Sequence, residues 1–524
     1  MMWIHVVALV ALSAGFESLF LHRGLNAIDE GWPLYAAMRL HEGGVLYQDT
    51  FFVFPPGHLL ASWLAYAWSP PGVILARIIS AGFNVSLVVA LYFLGRRLMP
   101  PVVALLGCAM LAVAAPDSHG AHYLFGYRYL LWSALAMLCF AQRLQDGDRR
   151  WMIAAGVFAG INLVFRLSPA PAVIAGIVVG IAAAERDWRS WWADASRLAL
   201  GFAVVVLPVA VWLAASAGWE SIWREVIVRP LSMTDLQSFT VPALELPTRW
   251  NRWEIRTFFV NFQFRLYVVM YAGYAAVLGW QLIRALKARQ PFRSPLLLAV
   301  VAWGGIFFLR SFGRADEAHL DSALPVQCLL LAYAVGIPLK DALNRPGLAR
   351  GLASACLIAF FSIWVFLIAS DRYVTDPSPV RRSVRSLDSE TAVSPKERLR
   401  VFDRLVGQMR AKAAPGEAVL DLSSSPLLHV VSQRSGPGWA DVVQPGSFLS
   451  PVEEHAFVSV LEASPPVLVI MPLWNYDNMP SRAIAKFAPE LVRWVLERYE
   501  VYLRLGDFAL MRPKDDGGRN RGDP

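Results

Sequence analysis

The amino-acid sequence predicts an all-α polytopic membrane helix bundle of about 11 spans, followed by a C-terminal soluble α/β domain. The chain of 524 residues is 56% hydrophobic, with a mean hydropathy of +0.44. Apolar runs recur from Trp3 to Ala369, which soluble domains rarely sustain over such a length. After Asp371 these runs stop, and short helix and strand patterns take their place.

The predicted spans are apolar segments separated by polar loops, and several are shorter than the ~20 residues of a straight span. Their approximate bounds are 3–21, 73–98, 102–115, 125–144, 151–165, 169–184, 198–217, 266–286, 295–309, 323–338 and 352–369. The first run lacks a small-residue cleavage site and is predicted to be a retained anchor. Segment 58–68 is too short to span and is expected to lie along the membrane or to dip into it.

Basic loops give the predicted orientation. Loops that hold Arg96, Arg149, Arg189, Arg289 and Lys340 alternate with other loops, and the positive-inside rule assigns them to the cytoplasm. They also account for the net charge of +8, and no nucleic-acid recognition motif is present. The sequence thus predicts a multi-pass protein of the cell inner (plasma) membrane, with its C-terminal domain on the non-cytoplasmic side.

The predicted domains follow from this change in pattern. They are a transmembrane domain at 1–370 with a first non-cytoplasmic loop at 22–72, a linker at 371–393, a soluble α/β domain at 394–513 and a disordered tail at 514–524. The α/β domain has a helix to about residue 412, strands at 417–422 and 466–471, and a hairpin of 501–505 with 508–512. It shows no phosphate loop or nucleophile elbow, so a lid or acceptor-contacting domain is expected.

Candidate site residues gather in the loops predicted to face the non-cytoplasmic side. The candidates for catalysis are Asp29 and Glu30, directly after the first span. The candidates for substrate binding are Tyr35, Asp49, His122, Tyr123, Arg128, Arg166, Arg314, Asp316 and His319. A carboxylate can take a proton from an acceptor hydroxyl, and arginine forks match the oxygens of a departing phosphate. Together these residues suit the transfer of a sugar from a lipid phosphate.

Structural alternatives stay open for each of them. Asp29 is a favoured helix N-cap, and Glu30 could serve only the start of that helix. Arg166 could extend along the bilayer to its interface. Arg314 and Asp316 could form an ion pair. A zinc site from His119 and His122 lacks a third ligand, and the cysteines show no CxxC spacing.

The first loop resembles that of a known enzyme family. Asp29-Glu30, Tyr47-Gln48-Asp49, Pro55-Pro56 and the α/β tail resemble the C-type (polytopic membrane) glycosyltransferases, in their protein O-mannosyltransferase and aminoarabinose-transferase branch. The resemblance implies an inverting hexosyl- or pentosyltransferase with Asp29 as general base. The donor would be a polyprenyl-phosphate sugar, and the acceptor a lipid, glycan or protein of the cell envelope.

The sequence departs from this family at one position. Many relatives place a lysine before the proline pair, where this chain has Phe54. The phosphate contact is therefore expected from Arg166 or Arg314. Some relatives use a divalent metal ion and others do not, so no cofactor is assigned and a metal stays an open alternative.

Two other function classes stay open. A lipid-linked sugar flippase would need a polar pathway across the bundle and typically an internal repeat, and the sequence shows no repeat. A non-catalytic membrane scaffold that presents the tail would leave Asp29 and the arginines without a role. The sequence favours the transferase over both.

Overall fold

Apolar helices make up most of the chain as far as Val374. The computed structural model describes residues 2–21, 26–114, 129–185, 187–241, 243–249, 252–315, 319–320, 322–338, 347–374 and 396–514. The helices of this part are α1 (Met2–Phe20), α2 (Gly31–His41), α3 (Leu60–Trp68), α4 (Val73–Leu98), α5 (Pro101–Ala114), α6 (Leu130–Asp146), α7 (Arg150–Phe165), α8 (Pro169–Ala184), α9 (Trp188–Ala217), α10 (Trp219–Ile222), α11 (Arg229–Leu236), α12 (Arg252–Lys287), α13 (Pro295–Leu309), α14 (Leu324–Gly336) and α15 (Leu348–Val374).

Each predicted span overlaps one of these helices. Helical segments long and apolar enough to cross a membrane are Met2–Leu19, Val73–Leu98, Trp188–Ala217, Asn261–Lys287 and Pro295–Phe312. The chain is therefore a multi-pass membrane protein. The count of eleven spans stays a prediction, since several of the other apolar helices are shorter than a straight span requires.

Two segments between the predicted spans are also helical. Residues 58–68 form the end of a 3₁₀ turn and helix α3, whose Trp63 and Trp68 are exposed. The predicted long loop at 219–263 contains α10, a π-helix at Trp223–Val228, α11 and the first turns of α12. Hydropathy alone missed these helical turns because they carry too many polar residues to form an apolar run.

Close helix packing in the bundle depends on glycine. Gly156 of α7 faces α9, where an added Cβ would lie 2.1 Å from the carbonyl oxygen of Leu198. Gly201 of α9 faces α7 in the same way, with a Cβ position 2.0 Å from the carbonyl oxygen of Ile153. Small residues let backbones approach where lipid offers no hydrophobic driving force between helices. This pair fixes the position of α7, which ends next to Arg166.

The C-terminal part contains a four-stranded mixed sheet. Its helices are α16 (Lys396–Lys412), α17 (Leu427–Ser432), α18 (Pro451–Ala463), α19 (Ile484–Phe487) and α20 (Pro489–Arg498), and its strands are β1 (Val419–Asp421), β2 (Leu468–Pro472), β3 (Tyr499–Leu505) and β4 (Phe508–Pro513). The strand order is β1-β2-β4-β3, with β1 parallel to β2 and the other pairs antiparallel. The predicted strands and hairpin thus lie where the sequence pattern placed them.

The C-terminal part shares a hydrophobic core with the first loop. Leu34 and Met38 of α2 pack in one buried cluster with Leu405 of α16 and Leu427 and Val430 of α17. The domain bounds predicted at 371, 394 and 514 stay predictions, because most of the linker and of the last residues lies outside the described part of the chain. The shared core nevertheless makes α2 an integral wall of the C-terminal part.

Gly31 lies at a close backbone contact between these two parts. An added Cβ at Gly31 would lie 2.2 Å from the backbone nitrogen of Leu427. That nitrogen donates a hydrogen bond to the carbonyl oxygen of Ala27 at 3.1 Å. The turn at 27–31 is therefore held against the start of α17 by backbone atoms. A side chain at position 31 would meet this backbone, which cannot rotate away as a flexible side chain could.

Gly31→Ala should lower the stability of the protein by about 1–3 kcal/mol, the usual cost of overpacking. The thermal unfolding temperature of the detergent-purified full chain would measure this. Gly82→Ala is the matched control, because no atom lies within 4 Å of its Cβ position. Equal unfolding temperatures for Gly31→Ala and the unchanged protein would contradict the predicted contact.

Candidate active site between the helix bundle and the C-terminal sheet

Asn26 shapes the turn that carries Asp29. Its Oδ1 accepts hydrogen bonds from the backbone nitrogens of Ile28 at 3.1 Å and Asp29 at 2.8 Å. Its Nδ2 donates to Oδ2 of Asp29 at 2.9 Å. Asparagine favours such turns because its side chain mimics a backbone segment. The Asp29 carboxylate is thereby oriented from its own turn and stays partly exposed.

Glu30 ties the same turn to helix α4. Its Oε1 and Oε2 accept from Nε and Nη2 of Arg77, each at 2.6 Å, and both side chains are fully buried. Arg77 also donates from Nη1 to the carbonyl oxygen of Leu21 at 2.9 Å. The N-cap of α2 is Glu30 itself, without a capping side-chain hydrogen bond, so the predicted capping role of Asp29 is not what the structure shows. Removing one partner of such a buried pair costs about 3–5 kcal/mol.

A cavity of about 580 Å³ opens beside Asp29. Its walls come from the first loop, the ends of α7 and α13, helix α11 and the loops of the C-terminal part. The lining residues include Asp29, Trp32, Phe54, Tyr129, Arg166, Gln237, Arg310, Arg314, His319, Ser423, Gln444, Trp474, Tyr476 and Asp477. The size is that of a small-molecule site, and it draws polar groups from distant parts of the chain.

Arg166 lies between two aromatic rings at one wall of this cavity. Its guanidinium carbon is 4.9 Å from the ring centre of Phe54 and 5.0 Å from that of Tyr129. Burial, together with the charge of Arg310, lowers the pKa of Arg166 to about 10, while Tyr129 and Asp29 act in the opposite direction. Arg166 thus remains a cation at neutral pH, within electrostatic reach of Asp29.

Arg310 is a cavity residue that the sequence reasoning did not single out. It follows α13, and its Nη1 is 3.5 Å from the hydroxyl of Tyr129. Tyr129 therefore contacts both Arg166 and Arg310, and places the two cations at the same wall. Its position directly after an apolar run could have marked Arg310 as a candidate, because Arg166 follows α7 in the same way.

Arg314 joins the cavity to the C-terminal part. Its Nη1 donates to Oε1 of Gln237 at 2.9 Å, and its Nη2 donates to Oδ1 of Asp477 at 3.3 Å. Asp477 also accepts from Arg482, whose guanidinium carbon lies 4.8 Å from the ring centre of Phe239. Among the described residues, Arg314 thus pairs with Asp477, which lies far away in sequence, and Asp316, its other candidate partner, lies outside the described residues.

Tyr476 completes the C-terminal wall. Its hydroxyl donates to Oε1 of Gln444 at 2.8 Å. Burial, followed by the charge of Asp477, raises the pKa of Tyr476 well above its ordinary value, so the phenol stays neutral. Asp477 has a left-handed backbone with φ 53°, as has Asn478 with φ 56°. Tyr476 and Asp477 lie in the loop between β2 and α19, and no sequence pattern pointed to them as cavity residues.

The structure brings only part of the predicted site together. Asp29, Arg166, Arg314 and His319 line the cavity, and His119, His122, Tyr123, Arg128 and Asp316 lie outside the described residues. Glu30 is held by Arg77, away from the cavity. Tyr35 is buried, with its hydroxyl donating to Oδ1 of Asp441 at 3.2 Å. Asp49 accepts from the backbone nitrogen of Val45 at 2.7 Å in an exposed turn. Neither of these two lines the cavity.

The described residues contain no cluster of metal ligands. No group of three or more His, Cys, Asp or Glu side chains in the described part of the chain is placed to hold a metal ion. The cavity carboxylates are instead engaged by protein groups, Asp29 by Asn26 and Asp477 by two arginines.

Solved structures with the same architecture cover nearly the whole chain. ArnT, an aminoarabinose transferase, from Cupriavidus metallidurans bound to undecaprenyl phosphate matches with a TM-score of 0.60 and 16% identity, over 98% of both chains. The chain has the C-type glycosyltransferase fold. The archaeal oligosaccharyltransferase AglB from Archaeoglobus fulgidus, in complex with an inhibitory peptide and a dolichol-phosphate, matches with a TM-score of 0.54 and 14% identity, over 99% of this chain and 75% of that one.

A third solved structure has the same fold with a metal ion. The Archaeoglobus fulgidus oligosaccharyltransferase complex with Zn and sulfate matches with a TM-score of 0.50 and 13% identity, over 95% of this chain and 71% of that one. No protein-family model and no curated protein sequence matches. The fold that the resemblance implies is thus confirmed, and at these identities the likeness extends to the fold alone.

Asp477→Asn should loosen the cavity wall formed by 474–478, because Arg314 and Arg482 would lose their charged partner. The expected result is faster backbone hydrogen exchange in this segment, measured by mass spectrometry on the full chain. Asp507→Asn is the matched control, since Asp507 is exposed in the β3–β4 turn. Unchanged exchange at 474–478 in Asp477→Asn would show that the ion pairs do not hold this wall.

Proposed function

We propose that the chain is an integral-membrane inverting glycosyltransferase that moves a sugar from a polyprenyl-phosphate donor to a cell-envelope acceptor. One observation carries this proposal. The Asp29 carboxylate and the guanidinium groups of Arg166 and Arg310 line one cavity at the end of the helix bundle. A base and phosphate-binding cations are the two components that transfer from a lipid phosphate requires.

The proposed reaction is a single displacement. Asp29 takes the proton of the acceptor hydroxyl as the acceptor oxygen forms its bond to the anomeric carbon of the sugar. The bond from that carbon to the phosphate oxygen breaks at the same time, with its electron pair going to the phosphate. The products are the glycosylated acceptor and the polyprenyl phosphate, and the configuration at the anomeric carbon is inverted.

Asp29 is the carboxylate best suited to be the base. Glu30 is neutralised by a bidentate pair with Arg77, and Asp477 by Arg314 and Arg482. Asp29 accepts a hydrogen bond from the Asn26 amide, which orients the carboxylate. It also lines the cavity, where an acceptor hydroxyl can reach it.

Arg166 and Arg310 are the proposed phosphate contacts. They occupy the role that the resemblance gives to a lysine at the Phe54 position. Phe54 instead packs its ring against the Arg166 guanidinium at 4.9 Å. The two guanidinium groups lie close enough to lower the pKa of Arg166, a repulsion that a bound phosphate would relieve. Arg314, paired with Asp477, is proposed to hold the wall of the cavity rather than to carry the phosphate alone.

The aromatic and polar groups of the C-terminal wall are proposed to meet the acceptor. Trp474, Tyr476, Gln444 and Ser423 line the cavity from the C-terminal part. The lipid of the donor would stay in the bilayer beside the bundle. Reaction on the non-cytoplasmic face of the inner membrane follows from the alternation of basic loops. Whether the transferred group is a hexose or a pentose depends on the fit of the cavity.

Asp29→Asn should leave a folded protein that binds donor but transfers sugar at least ~100-fold more slowly, the scale of a lost general base. The amide keeps the size of the side chain and removes only its charge and proton affinity. Turnover and donor binding are measured with a polyprenyl-phosphate sugar on the purified full chain. Near-normal transfer in Asp29→Asn together with loss in Asp49→Asn or Asp316→Asn would place the base elsewhere.

Arg166→Lys and Arg310→Lys should each lower turnover by about 100-fold, because one ammonium group cannot replace a guanidinium fork on phosphate oxygens. Donor affinity and turnover are measured for each variant and for the unchanged protein. Arg498→Lys is the control, since this exposed arginine of α20 pairs with Glu462 outside the cavity. Unchanged kinetics in both cavity variants would reject the phosphate assignment.

A further inference from the structure

A second cleft lies at the opposite end of the helix bundle. It has a volume of about 560 Å³ and opens between α1, α4, α6 and α7. Arg97 of α4 borders it, and Arg77, which holds the Asp29 turn, lies about 30 Å away along the same helix at 1.5 Å per residue. The cleft, here named the Arg96 cleft, is therefore separate from the proposed transfer site.

The Arg96 cleft is polar at one end and apolar toward the other. Arg96 and Arg97, in the last turn of α4, form its basic rim with Gln142 of α6. The apolar wall includes Leu135 and Leu138 of α6 and Phe158 of α7, which lie one or more turns further into the bundle. A charged group at the helix ends above an apolar groove has the shape of a site for an amphiphile.

Hydrogen bonds hold Arg97 at the rim. Arg97 Nη2 donates to Oε1 of Gln142 at 2.6 Å, and Nε2 of Gln142 donates to Asp146 at 2.9 Å. Trp151, another cleft residue, donates from Nε1 to the same Asp146 oxygen at 3.1 Å. Among the described residues, Arg96 and Arg97 are the only acidic or basic groups that line the cleft.

Arg96 has donor capacity that the described protein groups leave unused. Its guanidinium carbon lies 5.9 Å from the ring centre of Tyr92, and in the described part of the chain no group accepts from its buried Nε. A buried guanidinium donor without an acceptor is costly. An anion with several acceptor oxygens would satisfy it and could bridge to Arg97.

We propose that the Arg96 cleft binds an anionic phospholipid, with its phosphodiester on Arg96 and Arg97 and the upper part of an acyl chain along Leu135, Leu138 and Phe158. Basic pockets between spanning helices are suited to anionic lipid headgroups. The apolar wall favours a lipid over free phosphate, which would make no use of it. The site lies apart from the cavity at Asp29 and does not depend on the transfer reaction.

Native mass spectrometry of the full chain tests this proposal. The detergent-purified protein is titrated with phosphatidylglycerol and with phosphatidylcholine of the same acyl chains. One phosphatidylglycerol should bind at least about 10-fold more tightly than phosphatidylcholine. The double variant Arg96→Gln/Arg97→Gln should lose this preference. Arg150→Gln should keep it, because that exposed arginine lies at the same end of the bundle outside the cleft.

A steric variant separates a specific site from general attraction to positive charge. Leu138→Trp keeps both arginines and fills the groove, so it should also lose the bound phosphatidylglycerol. Thermal unfolding temperatures show which variants are folded, and Leu138→Trp gives the test if the double variant is not. Wild-type affinity in either folded variant, equal affinity for the two lipids, or displacement of the lipid by inorganic phosphate alone would overturn the proposal.

Discussion

The buried ion pair between Glu30 and Arg77 is the constraint on which the arrangement at the cavity depends. It fixes the turn after α1 to helix α4, while the hydrogen bond from Leu427 to Ala27 fixes the same turn to the C-terminal part. Asp29 lies between these two attachments. Its orientation is therefore set by groups that do not themselves enter the cavity. If Asp29 is the base, as proposed, a carboxylate held in this way would meet an acceptor without first losing conformational freedom.

The cavity combines charges of both signs. Arg166 and Arg310 both contact Tyr129, and the Asp29 carboxylate, which accepts from Asn26, lies within electrostatic reach of Arg166. Arg314 and Asp477 neutralise each other where the C-terminal part closes the cavity. In a low-dielectric site, preorganised charges of this kind act on a reacting phosphate far more strongly than they would in water. The presence of both charges supports the proposed roles of the arginines toward the donor phosphate and of Asp29 toward the acceptor.

The C-terminal part is thereby more than an appended domain. It shares a core with α2, limits the position of the Asp29 turn at Gly31 and supplies one cavity wall through Trp474, Tyr476 and Asp477. Damage to its packing is expected to reach the proposed site through these contacts. The expectation of a lid or acceptor-contacting domain agrees with this placement, and the acceptor contact itself stays a prediction.

Hydropathy, strand alternation and turn residues are local properties, and for this reason the amino-acid sequence was enough to predict the apolar helices, the C-terminal strands and the first loop as a candidate site. The cavity residues Asp29, Arg166, Arg314 and His319 could be predicted too, because each lies at the end of an apolar run or in a polar loop. The pairing of Glu30 with Arg77, the burial of Tyr35 against Asp441 and the pairing of Asp477 with Arg314 became visible only in the folded chain. These groups interact because they are close in space, although tens to hundreds of residues separate them in sequence. Such distant pairs produce no repeating pattern in a single sequence from which they could be predicted.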